Sequence, residues 1–248
     1  MTRARRVAVL GDVHGNVVAL AAVLEEMRAE DVDLVVWTGD LSWGSEPTAT
    51  LDLVRSLELP SLYVRGNAER MLLELRDVTT AEPTERERWM LASHTSDDLE
   101  LVSTFRQSHS VEIEGLGATY FTHGSPRSDE ELLTEATPEA RVREATRELA
   151  ERVLVTGHTH VRYDRAVGGV RALNPGSVGL PYEGERGAFW AFLGPDVEHR
   201  RTEYDVEEAV ARMRATDDPR VEPIVEMMLE PPARDGAIEH AERLELSG

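Results

Sequence analysis

Four imidazoles, two carboxylates and one amide stand in short glycine-containing motifs along this chain of 248 residues. The motifs are Gly11-Asp12-x-His14-Gly15, Gly39-Asp40, Gly66-Asn67, His123-Gly124 and Gly157-His158-x-His160. Aspartate, asparagine and histidine offer oxygen and nitrogen ligands of intermediate hardness, which suit Mn, Fe or Zn better than Ca or a thiophilic metal. These residue types therefore predict a transition-metal site.

The spacing within two of these motifs is much rarer than a pair of adjacent residues. A Gly-Asp pair alone carries little information, because about one such pair is expected by chance in a chain with 18 glycines. The pattern Gly-Asp-x-His-Gly is expected only about 0.003 times at this composition, and Gly-His-x-His about 0.02 times. Their joint presence supports a common site for the seven candidates, since burying seven such side chains is otherwise costly.

The composition excludes several other chemistries. All 27 basic residues are arginine, and cysteine is absent from the sequence. Without lysine there is no Schiff-base amine, PLP anchor or phosphate-loop lysine, and without cysteine there is no thiol nucleophile, disulfide or iron–sulfur cluster. A net charge of -20 argues against a broad nucleic-acid-binding face. No apolar run approaches the ~18 residues of a membrane helix, so we expect a soluble, cytoplasmic protein without a membrane partner.

Most of these motifs directly follow an element that must position them. Short apolar runs, typical of strands buried on both faces, occupy residues 6–10, 33–37, 61–64 and 153–156. Apolar residues at helical spacing predict helices over residues 16–29 and 48–57. This alternation predicts parallel strands, whose carboxyl ends meet at one edge of a sheet, where ligands bind.

The remaining sequence predicts additions to the parallel strands. Residues 68–109, dense in Glu and Arg, predict a helical insertion or cap, and a further helix is predicted over 138–152. Residues 205–248 predict a C-terminal helical extension of the domain formed by residues 1–204, helical to about residue 230, with a poorly ordered end. A hairpin is predicted over 111–113 and 118–121, and a more antiparallel set of strands over 161–167, 170–173, 188–193 and 197–204.

Taken together, the motifs resemble those of the calcineurin-like metallophosphoesterases, in particular a small prokaryotic branch of that family. The family pattern is Gly-Asp-x-His, Gly-Asp, Gly-Asn-His-Asp/Glu, a later His, and Gly-His-x-His. The resemblance covers residues 6 to about 193 and includes the segment Asn174-Pro175-Gly176-Ser177. It implies an α/β fold, a four-layer α/β/β/α sandwich of two mixed sheets, and the mixed strand pattern agrees with it.

The resemblance also implies a role for each candidate ligand. Asp12, His14 and His160 would hold one metal ion, Asn67, His123 and His158 a second, and Asp40 would bridge the two. Asp12, Asp40 and Asn67 would thereby be catalytic as well as metal-binding.

The function implied is a dinuclear, metal-dependent phosphoesterase that acts on a phosphate mono- or diester. Two divalent ions ~3.5 to 4 Å apart can lower the pKa of a shared water, present it as hydroxide and hold the attacking and leaving oxygens in line. The charges of two divalent ions, two carboxylates and a hydroxide sum to about +1. A protein of net charge -20 can therefore still attract a phosphate locally. We expect two Mn, Fe or Zn ions, with Mn favoured, and a small phosphorylated substrate such as a nucleotide.

One position departs from the family pattern. Where the family has Gly-Asn-His, this chain has Gly66-Asn67-Ala68, so the imidazole that would protonate the leaving oxygen is missing. Attack should survive while expulsion of a poor leaving group should suffer, which predicts a preference for aryl or nucleotide-like leaving groups over simple alkyl monoesters. His94 and His109 are candidates to replace the lost acid, although an exposed helical histidine is more often only solvated.

Two residues outside the metal set are candidate substrate contacts. Arg127 could clamp a phosphate through its planar guanidinium, or it could pair on the surface with Asp129 or Glu130. Asn174 could face the substrate, although Asn-Pro-Gly is also an ordinary turn. Four further residues are expected to be solvated or on the surface, namely Arg65, Arg70, His199 and His240. Arg65 and Arg70 flank the loop of Asn67, so a contact with substrate is the alternative for these two.

Two alternatives to a dinuclear hydrolase stay open at this point. The missing histidine at Ala68 would permit a catalytically weak member that uses its metal site to bind a nucleotide or a partner protein. A single-metal hydrolase is the other alternative, but it leaves Asn67, His123 and His158 without a role.

Overall fold

Two β-sheets and the helices around them make up the computed structural model, which describes residues 2–77 and 82–246. The strands are β1 (Thr2–Ala4), β2 (Val7–Leu10), β3 (Leu34–Trp37), β4 (Ser61–Tyr63), β5 (Ser108–Ile113), β6 (Gly117–Thr122), β7 (Val153–Val155), β8 (Tyr163–Val167), β9 (Val170–Asn174), β10 (Ala188–Leu193) and β11 (Val197–Thr202). The helices are α1 (Val17–Met27), α2 (Pro47–Arg55), α3 (Asn67–Asp77), α4 (Glu85–Ala92), α5 (Ser96–Ser103), α6 (Glu139–Ala145), α7 (Val206–Arg214), α8 (Val221–Leu229) and α9 (Arg234–Leu246).

The five-stranded sheet contains the parallel strands predicted from the first three motifs. Its order is β11-β10-β2-β3-β4. Strands β2, β3 and β4 are parallel to one another, and β10 is antiparallel to both of its neighbours, β2 and β11. Every residue of β2 and β3 is buried, as expected for strands covered on both faces. The carboxyl ends of β2, β3 and β4 lead into the motifs that contain Asp12, Asp40 and Asn67.

The six-stranded sheet is also mixed and supplies the later motifs. Its order is β1-β5-β6-β7-β9-β8. Strands β6 and β7 pair in parallel, with Phe121 opposite Val155. His123 and His158 therefore leave this sheet at the same edge.

An apolar core lies between the two sheets, and helices cover the outer faces. Alternate residues of β2 belong to different core clusters, because side chains of a strand point to opposite faces. Val7 and Val9 pack with residues of the six-stranded sheet such as Phe121, whereas Ala8 and Leu10 pack with residues of α1. Helix α6 packs on the far face of the six-stranded sheet. The predicted four-layer α/β/β/α sandwich of two mixed sheets is confirmed.

The predicted antiparallel set of strands is divided between the two sheets. Strands β8 and β9 form a hairpin in the six-stranded sheet, but β10 and β11 join the five-stranded sheet through β2. Grouping the four strands together was therefore wrong. All six residues of β10 are buried, and such a run needs the cover on both faces that an interior position provides.

Three other elements differ from the sequence-based prediction. The short strand β1 was not predicted, and it pairs in parallel with β5. Helix α6 ends at Ala145 instead of continuing to residue 152, because most of residues 147–152 are exposed and offer no buried face. Beyond Pro231-Pro232, where helical structure was expected to weaken, α9 packs against the protein through Ile238 and Ala241.

The predicted insertion and extension contain most of the remaining helices. Helices α3, α4 and α5 occupy the predicted insertion, although residues 108 and 109 belong to β5. Residues 78–81 of that insertion, and residues 247–248 at the end predicted to be poorly ordered, lie outside the described residues. Within residues 2–77 and 82–246, no helix has the length and apolar character needed to cross a bilayer.

Candidate metal centre

The seven candidate ligands converge at the edge where strands of both sheets end. Asp12, His14 and His160 form one group, and Asp40, His123 and His158 form another. Within each group the candidate ligand atoms lie within 4.8 Å of one another. Asn67 joins the second group, since its Oδ1 lies 3.0 Å from Nε2 of His123. The structure therefore brings together every residue that the motifs predicted as a ligand.

Asp40 lies between the two groups. Its Oδ2 is 3.8 Å from Nε2 of His14, and its Oδ1 is 3.4 Å from Nε2 of His123. One carboxylate oxygen thus faces each group. A carboxylate in this position could bridge two cations, since an anion between two nearby cations offsets their repulsion.

The second ring nitrogen of each histidine faces a backbone carbonyl. Nδ1 of His14, His123 and His160 lies 3.1, 2.7 and 2.7 Å from a carbonyl oxygen. A carbonyl oxygen only accepts, so these Nδ1 atoms carry the proton of the neutral ring and Nε2 presents its lone pair to the centre. His158 is reversed, with Nε2 3.2 Å from the carbonyl oxygen of Glu130, which leaves Nδ1 for a metal.

The two imidazoles of the first group are arranged to bind a cation, because they cannot hydrogen-bond to each other as neutral rings. Nε2 of His14 and Nε2 of His160 are only 3.0 Å apart. With both Nδ1 protons committed to carbonyls, two neutral rings would place two lone pairs against each other. A metal ion accepts both lone pairs, and oxygen and nitrogen donors of this kind suit Mn, Fe or Zn.

The backbone is strained at the centre. Among the described residues, the non-glycine residues with positive φ are Asp12, His14, Asp40, His158 and His160. All five are candidate ligands. Such conformations cost of order 1–3 kcal/mol each and persist only where the surroundings enforce them. Here backbone hydrogen bonds join the loops, with the His14 N–H donating to the Asp40 carbonyl at 3.0 Å.

Asp40 and His123 shift each other's pKa in opposite directions. Burial alone would raise the pKa of Asp40, but the charge and hydrogen bond of His123 hold it well below its ordinary value. Burial opposes protonation of His123 too, yet the Asp40 and Asp12 carboxylates raise the pKa of His123 to about 10. Burial and the charge of His123 lower the pKa of His158 to about 4. A proton on His123 and a metal ion therefore compete for the same place beside Asp40.

Glu69 supports the centre and was not predicted as a site residue. Its buried carboxylate accepts backbone N–H groups from Asp40 at 2.9 Å, Leu41 at 2.7 Å and Gly66 at 2.8 Å. It thereby fixes the loop of Asp40 against the loop of Asn67. Burial and the charge of Asp40 raise the pKa of Glu69 to about 7. The Asp/Glu position of the family pattern was the signal that could have identified it.

Neither candidate for the missing acid presents itself at the centre. His94 is buried rather than exposed, and its ring nitrogens lie 2.7 Å from the Met90 carbonyl and 3.0 Å from Oγ of Ser42. Nε2 of His109 lies 3.0 Å from the Tyr63 carbonyl. Both imidazoles are bonded to the scaffold.

Arg127 forms an ion pair, but with a partner that the sequence did not predict. Its Nε donates to Glu131 at 2.8 Å, and a second N–H of the guanidinium reaches the other carboxylate oxygen of Glu131. Asp129 and Glu130 pair with Arg70 instead. A phosphate contact of Arg127 stays a proposal, and it would require the guanidinium to leave or share this pair.

Asn174, the other candidate substrate contact, is bonded to the backbone of its own turn and of the His158 loop. It is fully buried, and its Nδ2 donates to the Gly157 carbonyl at 2.6 Å and to Oγ1 of Thr159 at 3.1 Å. Its Oδ1 accepts the Gly176 N–H at 2.8 Å. Asn174 therefore holds the loop of His158, as an Asn-Pro-Gly turn residue can, and a substrate contact of Asn174 stays a proposal.

The four residues expected to be solvated or on the surface differ in their surroundings. Arg65, Arg70 and His199 are half-buried, whereas His240 is exposed on α9. Nε2 of His199 lies 2.9 Å from the Asn174 carbonyl.

Comparisons with known proteins agree with this fold. A family model described as the calcineurin-like phosphoesterase superfamily domain matches residues 6–193. The uncharacterized protein MJ0912 of Methanocaldococcus jannaschii is 24% identical over 230 residues, which cover 84% of this chain and 91% of that protein.

Two crystal structures share the fold over nearly the whole chain. A metallophosphoesterase from Sphaerobacter thermophilus superposes with a TM-score of 0.73 at 25% identity, covering 92% of this chain and 99% of that one. The hypothetical protein PH1004 from Pyrococcus horikoshii OT3 superposes with a TM-score of 0.79 at 17% identity, covering 94% and 100%.

Proposed function

The chain belongs to the calcineurin-like phosphoesterase superfamily, and from this premise we propose that it is a phosphoesterase that depends on two divalent metal ions. The substrate is a small phosphate mono- or diester, with a nucleotide-like or aryl leaving group favoured, and the ions are Mn, Fe or Zn, with Mn favoured. The observation that carries the proposal is the position of Asp40, which directs one oxygen toward each of two ligand groups. A single-metal hydrolase would give no role to the second group.

Each group has the donors to hold one ion. Asp12, His14 and His160 would hold the first and Asn67, His123 and His158 the second, with Asp40 shared; Asp12, Asp40 and Asn67 would also act in catalysis. Bound divalent ions lower the pKa of coordinated water and stabilise negative charge on phosphoryl oxygens. Backbone carbonyls fix the imidazole rings so that the lone pair of each ring points to the centre. Little reorganisation is therefore needed when a metal ion binds.

The side chain at position 68 restricts the leaving group. Ala68 is buried, and its backbone N–H donates to Oδ1 of Asp40 at 3.0 Å, while its methyl group has no proton to transfer. Neither His94 nor His109 is placed to supply that proton. A leaving group of low pKa departs without protonation, so aryl and nucleotide-like esters are favoured over alkyl monoesters.

Hydrolysis of an aryl phosphate and a bis-aryl phosphate with added Mn²⁺ tests the proposal. We expect Asp40→Asn to lower kcat/KM by at least about a hundredfold, because a neutral amide cannot offset the repulsion between two cations. Metal analysis should also give fewer than the two equivalents expected for the unmodified protein. Asp129→Asn removes a carboxylate outside the centre and serves as the control.

A metal-containing module that binds a nucleotide or a partner protein is the second candidate, and the absence of an imidazole at Ala68 favours it. Activity no higher than that of Asp40→Asn, together with two bound equivalents of metal, would support the module and overturn the hydrolase. One equivalent after full loading would support a single-metal site.

A further inference from the structure

An apolar pocket of about 500 Å³ adjoins the metal centre. Its lining includes His158, Thr159 and Tyr182 from the side of the centre, together with Met227 of α8 and with Ala237 and Leu244 of α9. Helices α8 and α9 follow the segment of residues 6–193 that matches the family model. The C-terminal extension therefore completes a pocket that the matched domain alone would leave open.

The pocket borders the second ligand group directly and the first through Tyr182. His158 belongs to the second group and also lines the pocket. Tyr182, another lining residue, stacks on the ring of His160 in the first group, with 4.7 Å between the ring centroids. A phosphoryl group held at the centre would therefore have this pocket beside it, and the volume falls within the ~300–1,000 Å³ of typical ligand sites.

The lining selects an uncharged, apolar occupant. None of the described residues that line the pocket carries a carboxylate or a guanidinium, although 30% of the residues in this chain are charged. The lining instead combines aliphatic groups with the flat rings of Tyr182, His158 and His240 and the thioether of Met227. Aromatic rings and thioethers pack favourably against another aromatic ring.

We propose that this pocket binds the leaving group of the substrate and that this group is aromatic and uncharged. The inference rests on the proposed function, because the metal centre must hold the phosphoryl group for its substituent to reach the pocket. It narrows the substrate class to phosphoesters of an aromatic alcohol or of a group with a similar flat, apolar face.

Binding of two phosphonates to the full-length, Mn-loaded protein tests the pocket without requiring hydrolysis. Phenylphosphonate and methylphosphonate differ only in the group on phosphorus. We expect calorimetry to show phenylphosphonate binding at least about tenfold more tightly, because only its ring buries substantial apolar area. Ala237→Phe fills the pocket and should reduce this ratio below about threefold, with methylphosphonate affinity unchanged.

Two further variants make the result decisive. Glu239→Phe adds the same ring at an exposed position of α9 that does not line the pocket, so it should keep the preference. Gly236→Phe is a second filling variant, since Gly236 lines the pocket and a Cβ there meets no atom within 4 Å outside the neighbouring backbone of its own helix. Equal or absent binding of the two phosphonates to the unmodified protein, or a preference that survives both filling variants, would overturn the proposal.

Different results would contradict the proposed pocket and the proposed function. Ester hydrolysis that requires Asp40, with no preference for the phenyl ligand, would refute the pocket and leave the function in place. A phenyl preference abolished by Ala237→Phe, with no hydrolysis of any ester, would refute the function and leave the pocket.

Discussion

Among single residues, Glu69 determines the position of Asp40 without being one of the candidate ligands. Its two carboxylate oxygens accept three backbone N–H groups, while a glutamine has only one acceptor oxygen and would turn an N–H₂ group toward one of those donors. At least one buried donor would lose its partner, at a cost of about 1–3 kcal/mol. We predict that Glu69→Gln lowers the free energy of unfolding by about 2 kcal/mol, measured by urea denaturation.

Glu74→Gln is the matched control for this substitution. Glu74 lies on the same helix, α3, and its exposed carboxylate pairs with Arg70. Exposed pairs of this kind contribute little, so we expect a change below about 0.5 kcal/mol. Similar losses in the two variants would contradict the role given to Glu69.

Restoring an imidazole at position 68 should broaden the range of leaving groups. Ala68→His adds a group that can protonate a leaving oxygen, and general acid catalysis is worth about 10²–10⁴-fold where the leaving group is poor. We predict that the ratio of kcat/KM for an alkyl phosphate to that for an aryl phosphate rises at least about tenfold. Ala68→Asn, of similar size but unable to transfer a proton, should leave the ratio unchanged; an equal rise in both variants would rule out proton transfer.

The ligands could be predicted residue by residue because each motif is local in sequence. The hydrogen-bond partners of the other candidate side chains could not be predicted, because those partners lie far away in the sequence. Asn174 hydrogen-bonds to Gly157 and Thr159, and His94 hydrogen-bonds to Ser42, 52 positions away. Both side chains are buried, and these partners decide their roles. Which nitrogen of His158 faces the metal likewise depends on the Glu130 carbonyl, which no local pattern indicates.

At the scale of elements, the loops after the strands approach one another so closely that a methyl group would separate them. A Cβ at Gly66 would lie 2.1 Å from Oδ1 of Asp40. We predict that Gly66→Ala displaces the carboxylate or the loop, costs about 1–3 kcal/mol of stability and weakens metal binding. Thermal denaturation and metal titration measure the two effects.

Gly236→Ala provides the comparison, since Gly236 lies in α9 and a Cβ there meets no atom within 4 Å outside the neighbouring backbone of its own helix. Alanine is a better helix former than glycine, so this variant should keep or raise stability by up to about 1 kcal/mol and leave metal binding unchanged. Equal metal affinity in Gly66→Ala and the unmodified protein would show that the loop can yield.

The strands next to the motifs could be predicted from their apolar runs, but the partners of β10 could not. Its sequence shows that both faces must be covered, yet antiparallel pairing with β2 joins residues about 180 positions apart, and periodicity carries no information on such pairing. Helix α9 lies in the predicted helical extension, but helical structure was expected to weaken there, because α9 depends on packing of Ile238 and Ala241 against the domain more than on an apolar pattern of its own.

For the molecule as a whole, the centre links stability to both pH and metal. The pKa of His123 rises from its ordinary 6.5 to about 10 in the folded protein. Such a group contributes stability that is fully present below the unfolded pKa and is lost as pH rises through the folded value. The pKa of Glu69 is also raised, from its ordinary 4.5 to about 7. Its contribution to stability is therefore also lost as pH rises, over the range from about 4.5 to 7. We predict that the Tm of metal-free protein falls between pH 6.5 and 10.

Metal loading should offset this loss of stability, because an ion binds where the His123 proton otherwise lies. The difference in Tm between Mn-loaded and chelator-treated protein should therefore widen as pH rises from 6.5 to 9.5. A difference that stays constant over this range would show that His123 keeps its proton beside the metal or does not bind it.

The two sheets share both ligand groups, and this has a consequence for the order of events in folding. Asp12, His14 and Asp40 follow strands of the five-stranded sheet, whereas His123, His158 and His160 follow strands of the six-stranded sheet. Neither group is complete until the sheets have docked, so the complete ligand sets form only after docking. Because the complete ligand sets require the docked sheets, we predict that Mn²⁺ slows unfolding more than it speeds refolding, measured by stopped-flow kinetics with and without the ion.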